Sequence, residues 1–552
     1  MQIFNQIHLR NVQGDLFGGV TAAIIALPMA LAFGVASGAG AEAGLYGAIL
    51  VGLFAALFGG SPTLISEPTG PMTVIMTAVI AHLIASDPEN GMAMAFTVVM
   101  MAGMFQVLFG VLKLGKYVTL MPYTVISGFM TGIGIILIIL QIAPFLGHAP
   151  PPGGVIGTIE EIPNLFASIR IEEMILAAIT LGLLLFTPAS IKRYLPPQLI
   201  ALVIGTIISF TIFSAVDIRR IGEIPTGLPE IQMPIFSAAQ WQSMVIDALV
   251  LGMLGCIDAL LTSVIADSLT KQQHNSDKEL IGQGMGNMMS GLFGGLPGAG
   301  ATMGTVVNIQ SGARTALSGL TRALILLVVV VWAAGLTASI PLAVLAGIAM
   351  KVGIDIVDWA FLKRAHRISG KGAFIMFGVI ALTVFVDLIT AVGIGLFIAN
   401  VITIRRLSDL QSGDVTSITT AESASIELSA EEKDLFKVAD GHILLFHLTG
   451  PMIFGAAKAI TRKNIEIEDC DTIILDLKEV PHLGVTSSLA LEESIKDNVA
   501  AGRNVYVVGA KGQPLERLHN LGFLKHLPSV KIIDERVSAM RDAVQQLEKT
   551  DK

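Results

Sequence analysis

The sequence predicts a polytopic α-helical membrane protein with a small α/β domain on its C-terminal side. Three observations predict it. The 552-residue chain is 53% hydrophobic and only 14% charged, with a mean hydropathy of +0.73, far too apolar for a soluble protein of this length. The apolar excess is confined to residues 15–404, after which the composition is that of an ordinary soluble domain. Finally, Leu57-Phe58-Gly59-Gly60-Ser61-Pro62 recurs as Leu292-Phe293-Gly294-Gly295-Leu296-Pro297. Each copy leads into a short apolar segment through a Gly-, Pro- and Thr-rich stretch, Ser66 to Thr73 and Gly298 to Thr305. Paired, interrupted segments in corresponding halves of a membrane protein point to a site between internal repeats.

A helical span needs about 20 apolar residues, and runs and breaks in the chain give about fourteen segments. They cover 15–36, 41–60, 69–86, 91–112, 119–143, 173–191, 197–215, 243–267, 278–294, 301–313, 316–336, 339–354, 371–387 and 389–405. The third and tenth are too short to cross alone and are expected to be broken helices, with their extended lead-ins covering the missing depth. With the N-terminus inside, the inner loops carry Lys113, Lys116, Lys192, Arg193, Lys271, Lys278, Lys363, Arg364, Arg367 and Lys371, and Arg405 and Arg406 follow the last segment. The outer loops carry Asp87, Glu89, Glu160 and Glu161, with Arg170, Arg219 and Arg220 as exceptions. This asymmetry predicts cytoplasmic termini, and the protein is expected to be a multi-pass protein of the plasma (inner) membrane. The echoed motif ends the second and the ninth segments, and an odd offset inverts the second copy. The expected fold class is therefore a 7+7 inverted repeat, the architecture of alternating-access transporters.

Residues 1–406 are expected to form the transmembrane domain and the polar stretch 407–437 a linker. Residues 438–552 are expected to form a cytoplasmic α/β domain. Within it, His442 to Leu448, Thr472 to Leu477, Val505 to Val508 and Lys531 to Ile533 read as strands. Phe454 to Thr461, Ser487 to Ala500, Pro514 to Leu521 and Val537 to Leu547 read as the helices between and after them.

Composition also excludes function classes. A net charge of −8 and the lack of a basic stripe with interleaved aromatics speak against nucleic-acid binding. The two cysteines, Cys256 and Cys470, fall in different regions, which excludes a disulfide framework or a cysteine metal site. No removable signal peptide is read at the start of the chain; the first apolar run is itself a span. No nucleophile–base pair or metal-ligand cluster is visible, so the protein is not read as an enzyme.

Asp258 lies inside the eighth segment, in Gly255-Cys256-Ile257-Asp258-Ala259-Leu260-Leu261-Thr262. A carboxylate near the bilayer centre costs about 2.5–3.5 kcal/mol by insertion scales and is functional by default. Thr262 follows one turn later on the same face, and the two side chains together offer hard oxygen ligands to a small cation. The alternative is a protonated or solvated carboxyl with a structural hydrogen bond. Helices starting near Thr69-Gly70 and Ala301-Thr302 would aim two positive ends at an anion at mid-membrane; the alternative is packing glycines and proline kinks. No Lys or Arg lies between residues 61 and 112 or between 279 and 313, so a cation bound near Asp258 is expected to supply the missing positive charge.

Several runs resemble the SulP family of anion transporters, and the likeness covers nearly the whole chain. Ala26-Leu27-Pro28-Met29-Ala30-Leu31-Ala32-Phe33 and Gly44-Leu45-Tyr46-Gly47 look like that family's opening. Asn308 and Gly312-Ala313-Arg314-Thr315-Ala316-Leu317-Ser318-Gly319 look like its tenth-span signature. The soluble domain is similar to a STAS domain, the family's usual cytoplasmic appendage. Many relatives have Arg where this chain has Gly304 and Gln where it has Met29. The likeness to the sodium-dependent bicarbonate carriers of the family implies a sodium ion held by Asp258, Thr262 and Thr302, with backbone at Gly300 and Ala301. It implies an anion near Thr69, Ala301 and Thr302. In the STAS-like part, Leu483-Gly484-Val485-Thr486-Ser487 lacks the Asp of phosphorylated relatives, which implies a structural or dimerising role.

The reading drawn together is a sodium-coupled symporter importing bicarbonate by alternating access. Its partners are sodium, bicarbonate, the lipid bilayer and a second copy of the chain through the STAS-like domain. The alternative is proton-coupled or exchange transport of sulfate or another small anion. A membrane-anchored scaffold acting through its soluble domain is a third reading, and the intramembrane carboxylate beside two broken helices argues against it.

Overall fold

The computed structural model describes residues 4–5, 11–118, 122–192, 196–222, 229–332, 334–368, 370–386, 388–413, 415–424, 426–453, 457, 459–462, 470–522, 527 and 529–550. The segment ends expected at 119–121 and at 387, and part of the helix expected over 454–461, lie outside these residues. The chain divides into two units, Met1–Phe397 and Ile398–Lys552.

The first unit is helical. Its main elements are α1 (Val12–Ser37), α2 (Ala41–Phe58), the two-residue strand β1 (Ser66–Glu67), α3 (Gly70–Ser86), α4 (Gly91–Val111), α5 (Tyr123–Leu140), α6 (Ile171–Phe186) and α7 (Pro197–Thr211). These are followed by α8 (Trp241–Thr270), α9 (Ser276–Leu292), the strand β2 (Ala299–Gly300), α10 (Thr302–Gln310), α11 (Leu317–Trp332), α12 (Leu342–Ile356), α13 (Gly370–Phe385) and α14 (Leu388–Gly413), which runs on into the second unit. Shorter helical pieces and the amphipathic Gly154–Ala167 lie between them. Among the described residues, five helices are long and apolar enough to cross a membrane: Val12–Ser37, Ala41–Phe58, Gly91–Val111, Tyr123–Phe145 and Trp241–Thr270.

Packing sorts the helices into two groups. Helices α1–α4 pack against α8–α11, whereas α5–α7 pack against α12 and α13. The most extensive contact is between α4 and α9, and glycine makes it possible. A Cβ on Gly103 would stand 2.5 Å from the Gly284 carbonyl oxygen, and one on Gly284 would stand 2.5 Å from that of Gly103. Small residues at helix interfaces allow this backbone approach, the principal source of helix association where lipid removes the hydrophobic drive.

The two echoed motifs converge. Strands β1 and β2 pair antiparallel, Ser66 opposite Gly300 and Glu67 opposite Ala299. The Ala301 N–H extends the ladder by donating to the Ile65 carbonyl at 2.8 Å. Helices α3 and α10 begin immediately after these strands. Pro71 stands in the first turn of α3, where a missing N–H costs nothing and the fixed φ suits a helix start.

The second unit holds β3 (Val415–Ile418), α15 (Ala430–Ala439), β4 (Ile443–Thr449), β5 (Thr472–Glu479), α16 (Val485–Ala500), β6 (Asn504–Val508), α17 (Gln513–Asn520), β7 (Val530–Ile533) and α18 (Arg536–Thr550). The sheet order is β3-β4-β5-β6-β7. The β3–β4 pair is antiparallel and the remaining pairs are parallel. Alternate strand residues enter two cores. Leu444, Phe446 and Leu475 pack with Leu491, Ile495 and Leu518 of α16 and α17. Leu445, Ile474 and Tyr506 pack with Phe436 of α15 and Ala539 and Met540 of α18. The structure differs from the sequence expectation over 407–437. That polar stretch supplies the edge strand β3, the capping-boxed helix α15 that starts at Ser429, and the end of α14. It folds because Val415, Ile418 and Phe436 reach the sheet's cores.

Candidate functional site

The site forms where α8 passes the β1–β2 crossing. Asp258 is 9% exposed on α8, and its Oδ2 accepts a 2.8 Å hydrogen bond from the Thr69 hydroxyl. Thr262, one turn on and fully buried, donates to the Gly300 carbonyl at 2.8 Å. Its Oγ1 also lies 3.0 Å from Thr302 Oγ1. Strand β2 reaches α8 this closely because residue 300 has no side chain: a Cβ there would stand 3.1 Å from both Ala259 Cα and Thr262 Cβ.

All six residues singled out in the sequence therefore meet at this crossing, with one difference in detail. Thr69, assigned to an anion, spends its hydroxyl proton on Asp258. As the N-cap of α3 it makes no side-chain hydrogen bond to its own helix. Ala301, the N-cap of α10, has no side-chain group to offer and makes none either. Both first turns thus keep backbone N–H groups free of side-chain caps, the donors a helix presents to an anion. Thr302 is exposed, so the first turn of α10 borders open space. Gln198 of α7 reaches across to Met303 at 3.3 Å.

The donor set is one carboxylate, two hydroxyls and a carbonyl: hard oxygen ligands that suit an alkali or alkaline-earth cation and not a soft transition metal. A single carboxylate balances one positive charge. Among the described residues, no group of three or more His, Cys, Asp or Glu side chains is placed to hold a metal ion.

Sequence reasoning missed the polar residues that brace the crossing. Arg322 of α11 is fully buried and pairs with Glu67. It also donates to the Ala48 and Ser66 carbonyls at 3.1 and 3.2 Å. Glu279 of α9 accepts from the Gly60 and Ser61 N–H groups, each at 2.8 Å, and holds the first echoed motif. Asn287 holds the stretch that follows the second copy, accepting from the Gly298 N–H at 2.7 Å and donating to its carbonyl at 2.9 Å. The signal that exposed Asp258, an ionisable residue within an apolar segment, applies equally to Arg322 and Glu279.

The sulfate permease family model matches residues 12–379, and the STAS domain model matches residues 436–539. The bicarbonate transporter BicA of Synechocystis sp. (strain ATCC 27184 / PCC 6803 / Kazusa) is 66% identical over 544 residues, covering 99% of this chain and 96% of that protein. BicA of Picosynechococcus sp. (strain ATCC 27264 / PCC 7002 / PR-6) is 64% identical over 548 residues, covering 99% and 97%. The solved transmembrane domain of a cyanobacterial BicA aligns with a TM-score of 0.68 at 72% identity, over 71% of this chain and 100% of that one. Murine Slc26a9 in its inward-facing state aligns with a TM-score of 0.83 over 98% of this chain and 92% of that one, and at 17% identity this speaks to fold alone. The chain belongs to the sulfate permease family, a family of membrane transporters and not of enzymes, and carries a STAS domain on its C-terminal side.

Proposed function

We propose that the protein imports bicarbonate together with sodium by alternating access. The observation that carries this reading is the joining of Asp258, Thr262, Thr302 and the Gly300 carbonyl beside two helix starts without side-chain caps. Sodium binds among the oxygens. The anion docks on the first turns of α3 and α10, near Thr69, Ala301 and Thr302, and the sodium charge balances it. Identities of 66% and 64% over nearly the full length to proteins named bicarbonate transporters favour bicarbonate as the anion.

The same reading covers the architecture. Helices α1–α14 form about fourteen spans in two inverted sets of about seven, with α3 and α10 as broken helices. The packing of α1–α4 with α8–α11, and of α5–α7 with α12 and α13, supports it, since the first four helices of each set then carry the site and move against the rest. Residues 1–406 are the transport domain. Both termini are cytoplasmic, the membrane is the plasma membrane, and two copies associate through the STAS domain.

The test is labelled bicarbonate uptake into proteoliposomes with and without an inward sodium gradient, with sulfate, nitrate and chloride as competitors. Sodium-driven uptake outcompeted by none of the three is expected. Uptake that persists without sodium and follows a pH gradient instead establishes proton coupling or exchange, with Asp258 as a proton carrier and sulfate as a candidate substrate. No net anion flux at all overturns the transport reading.

A further inference from the structure

A fixed positive charge does reach the crossing, and a carboxylate silences it. Arg322 is fully buried and Glu67 is 2% exposed, and their side chains form an ion pair. Glu67 belongs to β1, opposite Ala299 of β2. Its carboxylate faces the start of α10: a Cβ on Gly304, in the first turn of that helix, would stand 3.4 Å from Glu67 Oε1. Helix α10 therefore offers its positive end to a carboxylate of the chain itself, beside the place where an exogenous anion would dock.

The pair is poorly explained as a stability device. Buried ion pairs are weak evidence of stability, because desolvation offsets their attraction. Arg322 Nε has no hydrogen-bond partner among the described residues, and an unsatisfied buried donor costs more than it gives. The chain also gives up a side chain to admit the guanidinium: a Cβ on Gly52 would stand 2.6 Å from Arg322 Nη1. A buried ionisable pair kept in an apolar unit on these terms is functional by default.

We propose that the Glu67–Arg322 pair sets the sodium requirement of the anion site: Glu67 neutralises the fixed cation that Arg322 brings to the crossing, so that a bound sodium ion must supply the positive charge. This rests on the reading that sodium and an anion share the site at Asp258. Both residues are positioning and charge-setting groups, with no contact to the transported ions required. Removing the Glu67 charge releases Arg322 to serve the anion directly. Removing the Arg322 charge leaves an unpaired carboxylate facing the anion.

The test is bicarbonate uptake in proteoliposomes across a sodium titration for Glu67→Gln, Arg322→Gln and the double variant, with monodispersity and thermal stability as the check on folding. Glu67→Gln is expected to lower the ratio of sodium-driven to sodium-free uptake about tenfold or more, as a released unit charge in a low-dielectric site should. Arg322→Gln is expected to lose uptake at every sodium concentration, and the double variant to regain it. A purely structural brace predicts otherwise: a folded Glu67→Gln with the unaltered sodium requirement, or a folded double variant no better than Arg322→Gln, overturns the proposal. Glu67→Asp keeps the charge beside Arg322 and is the conservative control. An unaltered sodium requirement in that variant supports the proposal, and one lowered as in Glu67→Gln overturns it. Sodium-driven bicarbonate uptake by the unsubstituted protein is measured alongside; its absence overturns the underlying reading of the site, whereas its presence with an unshifted Glu67→Gln overturns this inference alone.

Discussion

Asp258 is held by a neutral donor, the Thr69 hydroxyl at 2.8 Å, and by no cation among the described residues. That leaves a buried carboxylate open to a charge from outside the protein. Asp258→Asn keeps the shape and the Thr69 contact while removing the charge. Sodium affinity is expected to fall by more than the 10–100-fold typical of losing a group that only orients a ligand, with thermal stability unchanged or raised because a charge leaves the membrane interior. Sodium-titrated uptake with a melting curve measures both, and undiminished sodium-driven uptake would rule out the role. Thr262 has a different profile. Thr262→Val leaves the buried Gly300 carbonyl without its 2.8 Å donor, a loss of about 1–3 kcal/mol. It should raise the half-saturating sodium concentration and lower the melting temperature together, and Thr262→Ser should restore both. Asp258 and Thr262 were legible in the sequence because a carboxylate in an unbroken apolar run stands out and 3.6-residue periodicity names its neighbour. Arg322 stands out by the same signal, but its pairing with Glu67 does not, because it is a contact between residues 255 positions apart, and neither periodicity nor spacing reports such a contact.

At the scale of elements, the fold was legible where patterns are long. The long apolar runs marked the helices, and the short continuous apolar runs of β4, β5 and β6, buried on both faces, marked the parallel core of the sheet. Strands β1 and β2 are two residues long, too short for any period, and only the Gly/Pro interruptions marked where they fall. The four-residue β3 was lost because only its end residues are buried, so it shows no strand alternation. The charge cluster that ties α15 and α18 to β5 was equally silent in sequence. Arg536 contacts Glu432 at 2.6 Å and Asp476 at 3.0 Å. Burial alone would push the Asp476 carboxyl up, but the hydrogen bonds with His447 and from the Lys478 N–H, together with the Arg536 charge, outweigh it and hold it below the ordinary aspartate range. A depressed folded value means that the group stabilises the domain fully above the unfolded pKa of about 3.9 and ceases to do so as pH falls through the lower folded value. Arg536→Ala strips the partner from two buried carboxylates and is expected to destabilise the STAS domain by about 3–5 kcal/mol. The acid limb of its stability should move to higher pH. Hydrogen exchange of β5 and α18 in the full-length protein, followed from neutral to acidic pH, measures both effects. Protection equal to that of the unsubstituted protein at every pH contradicts the account.

For the whole molecule, the charge inventory of the site predicts the stoichiometry of transport. Asp258 is the one carboxylate among the cation's proposed ligands, and Glu67 is already neutralised by Arg322. The empty site therefore carries one negative charge. It carries the same charge when one sodium ion and one bicarbonate are bound, so a moving unit that cycles between these two states transfers no net charge. Uptake is then electroneutral, driven by the sodium concentration gradient and indifferent to membrane potential. A second sodium ion would change this sharply. Moving one net charge through 100 mV is worth about 2.3 kcal/mol, roughly a 50-fold change in the accumulation ratio at equilibrium. Proteoliposomes with a fixed sodium gradient and a potassium diffusion potential set with valinomycin separate the two cases. The expected result is the same bicarbonate accumulation at zero and at negative-inside potential, with a one-to-one ratio of labelled sodium to labelled bicarbonate entering. Accumulation that rises tens of fold with negative-inside potential would mean that a further cation site lies beyond the oxygens of Asp258, Thr262, Thr302 and Gly300.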